Sequence, residues 1–173
     1  MPRRKTVAVV GSAECVASDE CWQTAYRLGA RLVKDGCRVL TGGLGGVMEA
    51  ALAGARSAEN YREGDTIAVL PSFDASAANP YADIVIATGA DVHMNGIVAN
   101  ADAVIAVGGG AGTLCEIAMA LERGRPVMAF CGIDGSSRRA ARFAAASGAP
   151  VEPLSSAEEV TEKLKKLWKD EGV

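Results

Sequence analysis

The segment from Ala101 to Glu122 holds the residues whose types and spacing best predict chemistry, and it reads ADAVIAVGGGAGTLCEIAMALE. Five apolar residues, Ala103 to Val107, are typical of a parallel strand that is covered on both faces. A glycine-rich run follows directly. The residues after it have helical spacing and predict a buried stripe made of Leu114, Ile117, Ala118 and Leu121. The segment therefore predicts a strand, a glycine turn and a helix.

The start of this predicted helix has the properties of an anion site. A helix that begins straight after a glycine turn leaves its first N–H groups unpaired and carries a partial positive charge at that end. Glycines let a ligand approach the backbone closely, so the turn predicts a binding site for an anion, most often a phosphate. The residues assigned to ligand binding here are Gly109, Gly110, Ala111, Gly112, Thr113 and Glu116.

A purely structural interpretation of the same residues stays open, because many α/β proteins use a glycine-rich turn only to make a tight bend. Thr113 and Glu116 also have the spacing of a capping box, in which Thr113 is the N-cap and Glu116 bonds back to it. The strand-turn-helix context and a second glycine loop upstream favour the ligand-binding interpretation.

Two further turns follow predicted strands: Gly11 ends the first strand, and the run TGGLGG from Thr41 to Gly46 follows the second. Ligands of doubly wound sheets bind outside the carboxyl ends of the strands, near the switch in strand order, so the three turns can converge on one site. None has the Gly-Lys-Ser/Thr ending of a P-loop, and the first does not match G-x-G-x-x-G, which argues against ATP hydrolysis and standard NAD binding. The binding residues predicted here are Gly11, Ser12, Gly42, Gly43, Gly46 and Met48.

Strands alternate with helices along the whole chain, without a linker, an internal repeat or a low-complexity segment. This alternation predicts a single Rossmann-like nucleotide-binding domain over residues 1–173. The fold class is α/β, with a doubly wound, mostly parallel sheet and helices on both faces. Residues 72–82, SFDASAANPYA, lack periodicity and predict a loop whose position after a strand suits a lid or a specificity loop.

The composition excludes several classes of function. Hydrophobic residues make up 49% of the 173 residues and charged residues 23%, as in an ordinary globular protein. A net charge of −3 without a long basic run argues against nucleic-acid and membrane-surface binding. One histidine and five scattered cysteines form no zinc-binding pattern, so no metal site is predicted. The cysteine usage, with no signal-peptide pattern and no membrane-length apolar run, predicts a cytoplasmic protein.

Two motifs together resemble the "lonely guy" (LOG) superfamily: GGLGGVM from Gly42 to Met48, and GGAGTLCE from Gly109 to Glu116. Their spacing, with the preceding Ala101-Asp102-Ala103, is most similar to the branch that contains the molybdenum-cofactor carrier proteins. The resemblance covers nearly the whole chain. It implies a Rossmann-like sheet and assembly as a homodimer or homotetramer. It also implies a phosphorylated small-molecule ligand, with no required cofactor beyond a bound nucleotide or molybdopterin-type ligand.

Phosphoribohydrolases of this superfamily cleave the N-glycosidic bond of a nucleoside 5′-monophosphate. The resemblance implies that Glu116, if the chain is an enzyme, holds the ribose hydroxyls and stabilises the oxocarbenium-like transition state. These enzymes also use an arginine in the helix before the central strand, where this chain has His93 or Met94. A mostly neutral imidazole supplies little positive charge, so His93 is a weak replacement and the substitution favours binding over hydrolysis.

The leading hypothesis is a binding or carrier protein for a phosphorylated, nucleotide-like ligand, with a molybdopterin-type cofactor as one example. The alternative is a nucleoside 5′-monophosphate phosphoribohydrolase, which the presence of Glu116 keeps open. A weaker alternative is a nucleotide sensor domain. Whether the chain is an enzyme stays undecided from the sequence.

Overall fold

The structure is a computed structural model that describes residues 3–170. Its strands are β1 (Thr6–Gly11), β2 (Arg38–Thr41), β3 (Thr66–Leu70), β4 (Ile84–Ala87), β5 (Ala103–Val107), β6 (Val127–Phe130) and β7 (Val151–Leu154). All seven pair in parallel in one sheet, in the order β4-β3-β2-β1-β5-β6-β7. The predicted α/β fold is confirmed, and the sheet is entirely rather than mostly parallel.

The helices are α1 (Glu20–Lys34), α2 (Val47–Arg56), α3 (Asn95–Val98), α4 (Ala111–Glu122), α5 (Ser136–Ser147) and α6 (Glu159–Asp170), with 3-10 turns at Ala75–Ala77 and Asp91–Met94. One apolar cluster joins one face of the sheet to α1, α2 and α6, and a second joins the other face to α3, α4 and α5. The sheet is therefore covered on both faces, as the alternating pattern predicts. No helix within residues 3–170 is both long and apolar enough to cross a membrane.

The strand order reverses between β1 and β5. From β1 the chain proceeds outward through β2, β3 and β4, and it then returns to pair β5 with the other side of β1. The register runs from Val7 opposite Ala103 to Gly11 opposite Val107, and all five residues of β5 are buried. The continuous apolar run of β5 is thus explained by its place at the centre of a covered sheet.

Helix α4 differs from the sequence prediction in its start and in its buried face. It begins at Ala111 after the N-cap Gly110, with no side-chain cap bond, so the proposed capping box of Thr113 and Glu116 is wrong. The predicted stripe is confirmed at Ile117 but is otherwise shifted by one residue, because the other buried residues are Thr113, Glu116 and Ala120. A shift of one residue rotates a helix by about 100°. Leu114 is consequently 48% exposed.

Helices α1 and α2 cross unusually closely because each presents a glycine to the backbone of the other. A Cβ atom added at Gly29 would lie 1.9 Å from the carbonyl oxygen of Ala51, and one added at Gly54 would lie 1.9 Å from that of Tyr26. Neither distance is compatible with a real side chain. This crossing fixes α2, whose first turn follows the second glycine loop directly.

We expect Gly54→Ala to destabilise the protein even though alanine has the higher helix propensity. The added methyl group meets a backbone carbonyl that cannot rotate away, and such overpacking costs about 1–3 kcal/mol of unfolding free energy. Urea unfolding of the two proteins measures the difference. Gly132→Ala is the matched control, because a Cβ atom there has no neighbour within 4 Å. Equal stability of Gly54→Ala and wild type would contradict the close crossing.

Candidate functional site

A cavity of about 500 Å³ lies outside the carboxyl ends of β1, β2, β3 and β5. This is the edge of the sheet where the strand order reverses, the usual ligand position in doubly wound folds. Its lining includes eight of the residues predicted from sequence: Gly11, Ser12, Gly42, Met48, Gly110, Gly112, Thr113 and Glu116. The three turns that follow β1, β2 and β5 therefore meet at one place.

The glycines before α4 have two different structural roles. Gly108 and Gly109 adopt left-handed φ angles of 62° and 91°, and a Cβ atom at Gly109 would lie 2.2 Å from Oγ1 of Thr113. These two residues make the turn. A Cβ atom at Gly110 or Gly112 meets nothing within 4 Å, and both residues line the cavity. The first turn of α4 thus presents backbone without side chains to a ligand, which is the arrangement that anion binding requires.

The first residues of α5 hold this glycine turn in place, a contribution that the sequence analysis did not identify. The backbone N–H of Ser136 donates to the carbonyl of Gly109 at 2.8 Å, and the Ser136 hydroxyl donates to that of Gly110 at 2.6 Å. The N–H of Gly108 donates to Oγ of Ser137 at 2.9 Å. Two serines at a predicted helix start are the only signal in the sequence, and they do not specify which loop they bind.

The second glycine loop contributes Gly42 and Met48 to the lining, whereas Gly43 and Gly46 lie behind it. A Cβ atom at Gly43 would lie 2.7 Å from the side chain of Ala68, so this glycine packs against β3. Gly46 has a φ of 63°, and a Cβ atom there would lie 2.2 Å from the carbonyl oxygen of Ser12. These two predicted residues shape the loop without lining the cavity.

The apolar side chains of the lining form a second group, which is called the apolar wall here. It consists of Leu44, Met48, Pro71, Val92 and Met94. Methionine side chains are flexible and polarisable, and they make favourable contacts with aromatic rings. The wall is therefore suited to a flat heterocycle.

The loop of residues 72–82 does not line this cavity. Asn79 instead ties the loop to the second glycine loop: its backbone N–H donates to the carbonyl of Gly43 at 2.9 Å, and its Nδ2 donates to that of Leu44 at 3.0 Å. In this structure the loop supports the wall of the site, and only Pro71, just before it, reaches the cavity.

A second cavity of about 480 Å³ adjoins the first and shares Ser12 and Gly110 with it. Gly109 lines this second cavity. Ala111 lines neither of the two, although it is the first residue of α4. Eight of the predicted residues thus line the first cavity, while Gly43, Gly46, Gly109 and Ala111 lie beside it.

The segment before β5 contributes Asp91, Val92, Met94 and Asn95 to the first cavity, but not His93. His93 is exposed on the 3-10 turn. Asp91 is the single non-glycine residue with a positive φ, 48°, among the described residues, and such strain is found most often at ligand sites. The sequence analysis did not identify Asp91 as a site residue.

All the acidic or basic side chains in the lining are carboxylic acids: Glu14, Asp91 and Glu116. No lysine or arginine of residues 3–170 lines the first cavity. Within the same residues, no group of three or more His, Cys, Asp or Glu side chains is arranged to hold a metal ion. An anion bound here would interact with backbone N–H groups and the dipole of α4 rather than with a cation.

Thr113 and Glu116 are the two deeply buried polar side chains of the lining, with exposures of 4% and 7%. Neither makes a hydrogen bond or an ion pair within the part of the chain that the structure describes. Burial raises the pKa of the Glu116 carboxyl from 4.5 to about 8. Loss of water is the cause, because it disfavours the charged form. Glu116 therefore holds its proton at neutral pH.

Comparison with known proteins identifies the family. The model of the SLOG cluster4 family matches residues 4–162, which is most of the chain. The chain belongs to this family. The predicted relationship to the LOG superfamily, near the molybdenum-cofactor carrier branch, is confirmed.

Relatives of this SLOG cluster4 protein are found among sequences and among solved structures. An uncharacterised protein of Archaeoglobus fulgidus is 42% identical over 122 residues, which are 70% of this chain and 76% of the relative. The structure of a molybdenum cofactor binding protein from Rippkaea orientalis is 34% identical, covers 95% of this chain and 98% of its own, and superposes with a TM-score of 0.82. The molybdenum cofactor carrier protein of Chlamydomonas reinhardtii is 28% identical, with coverages of 96% and 99% and a TM-score of 0.77.

The buried Glu116 predicts a specific dependence of stability on pH in this SLOG cluster4 protein. Between pH 4.5 and pH 8 the native state keeps a proton that the unfolded state loses, so the Glu116 contribution to stability decreases as pH rises. One pKa unit corresponds to about 1.36 kcal/mol. Relative to Glu116→Gln, we expect wild type to lose more than about 1 kcal/mol of unfolding free energy between pH 5 and pH 8.

Urea unfolding of the wild type and the variant at pH 5, 6.5 and 8 measures this difference. Glu122→Gln on the same helix is the control, because Glu122 is exposed. It should follow the wild type at every pH. A constant difference between Glu116→Gln and wild type across this range would contradict the raised pKa.

Proposed function

We propose that this protein binds and carries a phosphorylated, nucleotide-like small molecule, and that a molybdopterin-type cofactor is its ligand. The observation that carries the proposal is the first turn of α4, where Gly110 and Gly112 present bare backbone to a cavity at the switch in strand order. Unpaired N–H groups and the helix dipole bind phosphate at such a position.

The remaining lining supports a ligand with a flat ring system. The apolar wall that includes Met48 and Met94 lines the same cavity as the proposed phosphate position. The volume of this cavity, about 500 Å³, is within the range of small-molecule sites. The relative from Rippkaea orientalis is named as a molybdenum cofactor binding protein and that from Chlamydomonas reinhardtii as a molybdenum cofactor carrier protein, which supports a ligand of this type. In this proposal Thr113 and the N–H groups after Gly110 hold the phosphate, and the methionines contact the ring.

Hydrolysis of a nucleoside 5′-monophosphate is the weaker alternative for two reasons. No arginine or lysine of the described residues lines the cavity to bind and orient the substrate. Glu116 is also protonated at neutral pH, because burial raises its pKa to about 8, and a neutral carboxyl stabilises a cationic transition state poorly. A binding role requires neither a cationic side chain in the lining nor an ionised Glu116.

A cellular location and an oligomeric state are also part of the proposal. We propose a cytoplasmic protein that assembles as a homodimer or homotetramer, as the resemblance to its superfamily implies. Its partner in this proposal is the small molecule, and neither a nucleic acid nor a membrane surface is part of it.

The ligand can be identified from protein purified under native conditions. We expect mass spectrometry to detect a phosphorylated pterin or nucleotide in about equimolar amount with wild type and to detect none with Gly110→Val. The valine side chain would occupy the open space that the phosphate needs. Gly132→Val is the matched control, since its added side chain also meets open space but lies away from the first cavity. Equal recovery of ligand with Gly110→Val would place the site elsewhere.

We further expect no appreciable hydrolysis of AMP. Chromatography of an incubation with micromolar protein should detect little or no free adenine, because the lining provides neither a cation nor an ionised carboxylate at Glu116. Robust release of adenine that is abolished in Glu116→Gln would refute the carrier proposal in favour of the phosphoribohydrolase.

A further inference from the structure

The cavity has an electrostatic property that a phosphate ligand must overcome. A phosphate monoester carries a charge of about −2 above pH 7. The lining offers it three acidic side chains, Glu14, Asp91 and Glu116, and no lysine or arginine from residues 3–170. If all three carboxyl groups were ionised, they would repel the anion, and the N–H groups of α4 alone would have to offset this repulsion.

Glu116 is placed to remove part of that repulsion. Side chains of a helix lean toward its N-terminus, so Glu116 covers the surface over Gly112 and Thr113, four and three residues earlier. Gly112 has no side chain and opens to the cavity, and Glu116 lines the same cavity as the proposed phosphate position. The side chain is 93% buried and has no hydrogen-bond partner within the described residues.

We propose that Glu116 enters the ligand complex as a neutral carboxyl group whose O–H donates a hydrogen bond to an anionic oxygen of the ligand. This inference rests on the proposed function, because it assigns a donor to the phosphorylated ligand of the same site. It differs from the role that resemblance to the hydrolases implies, in which an ionised carboxylate accepts hydrogen bonds from ribose hydroxyls and stabilises a cation.

The surroundings of Glu116 favour the neutral form. Burial raises its pKa to about 8, and no neighbouring positive charge opposes the shift. The other titratable side chains of the lining are Glu14, from the segment after β1, and Asp91, from the turn before α3. The contribution of α2 to the lining is Met48, and α5 and β5 contribute no residue. A bound anion adds negative charge and therefore raises the Glu116 pKa further.

The test measures AMP affinity by calorimetry between pH 7.5 and pH 9.5, where the phosphate stays fully ionised because its second pKa is about 6. We expect the wild-type affinity to fall about 20-fold over this range, as Glu116 loses its proton. Glu116→Gln should bind within about threefold of wild type at pH 7.5 and show no such decline, because the amide N–H donates at every pH. Glu116→Ala should bind more than about tenfold more weakly at pH 7.5.

The control is Glu122→Gln, which replaces an exposed carboxylate on the same helix and should keep the wild-type pH dependence. Infrared difference spectra between wild type and Glu116→Gln provide a second readout that needs no ligand. They should contain the band of a protonated carboxyl at pH 7 and lose it at pH 9.5. Absence of this band at pH 7 would overturn the inference.

The affinity data separate failure of this inference from failure of the proposed function. If AMP binds at pH 7.5 but the affinity is constant or rises with pH, or if Glu116→Gln loses most of the binding, Glu116 acts as an ionised acceptor and the inference is wrong while the proposed function stands. If neither AMP nor GMP binds at any pH, the proposed phosphate site itself is wrong, and the inference fails with it.

Discussion

The parallel pairing of β5 with β1 is the constraint on which the site depends. Five residues of each strand are in register, and the last pair joins Gly11 to Val107, so the turns after the two strands leave the sheet side by side. Because the strand order reverses at this pair, the helices that follow β1 and β5 diverge to opposite faces and leave a crevice between them. The buried, apolar strand β5 lies at the centre of the sheet, and the turns after β1 and β5 both contribute residues to the cavity lining.

The glycines around this crevice have two opposite structural roles, and both depend on the absence of a side chain. At Gly29, Gly54 and Gly46 the backbone of one segment contacts that of another, and a methyl group would force them apart. These contacts set the position of α2 and of the loop before it. At Gly110 and Gly112 the same absence leaves room that no protein atom fills. The first three glycines allow the backbone contacts that position the segments around the cavity. Gly110 and Gly112 leave open space inside it.

The electrostatics of the cavity separate this protein from phosphate sites that depend on lysine or arginine. Its lining within the described residues provides backbone N–H groups, a helix dipole and acidic side chains. Glu116 is the most deeply buried acid of the lining, and this burial raises the pKa of its carboxyl to about 8, which favours the uncharged form at neutral pH. In the proposed complex this arrangement offers the anion oriented dipoles and hydrogen bonds, which suits reversible binding better than stabilisation of a charged transition state.

The sequence by itself determined the alternation of strands and helices, the buried central strand and the three glycine turns, because each leaves a local pattern of apolar spacing or turn residues. It also indicated Thr113 and Glu116 as candidate ligand residues, while leaving open that the two form a capping box. Only the tertiary structure excluded the capping box and decided which face of the helix is buried, since the helix begins at Ala111 and packs with Thr113 and Glu116 turned inward. Helix periodicity in a mostly apolar segment cannot distinguish two faces that differ by one residue.

Local sequence patterns also did not indicate Asp91 and Ser136 as residues of the site. Asp91 lies in the site because the 3-10 turn before α3 turns it there, and Ser136 reaches the glycine turn from 26 residues along the chain. Gly43 and Gly46, in contrast, belong to a glycine motif but contact protein rather than the cavity. Local sequence specifies that a turn needs glycine. Which side of the turn faces open space depends on contacts between segments far apart in sequence, and only the folded chain decides it.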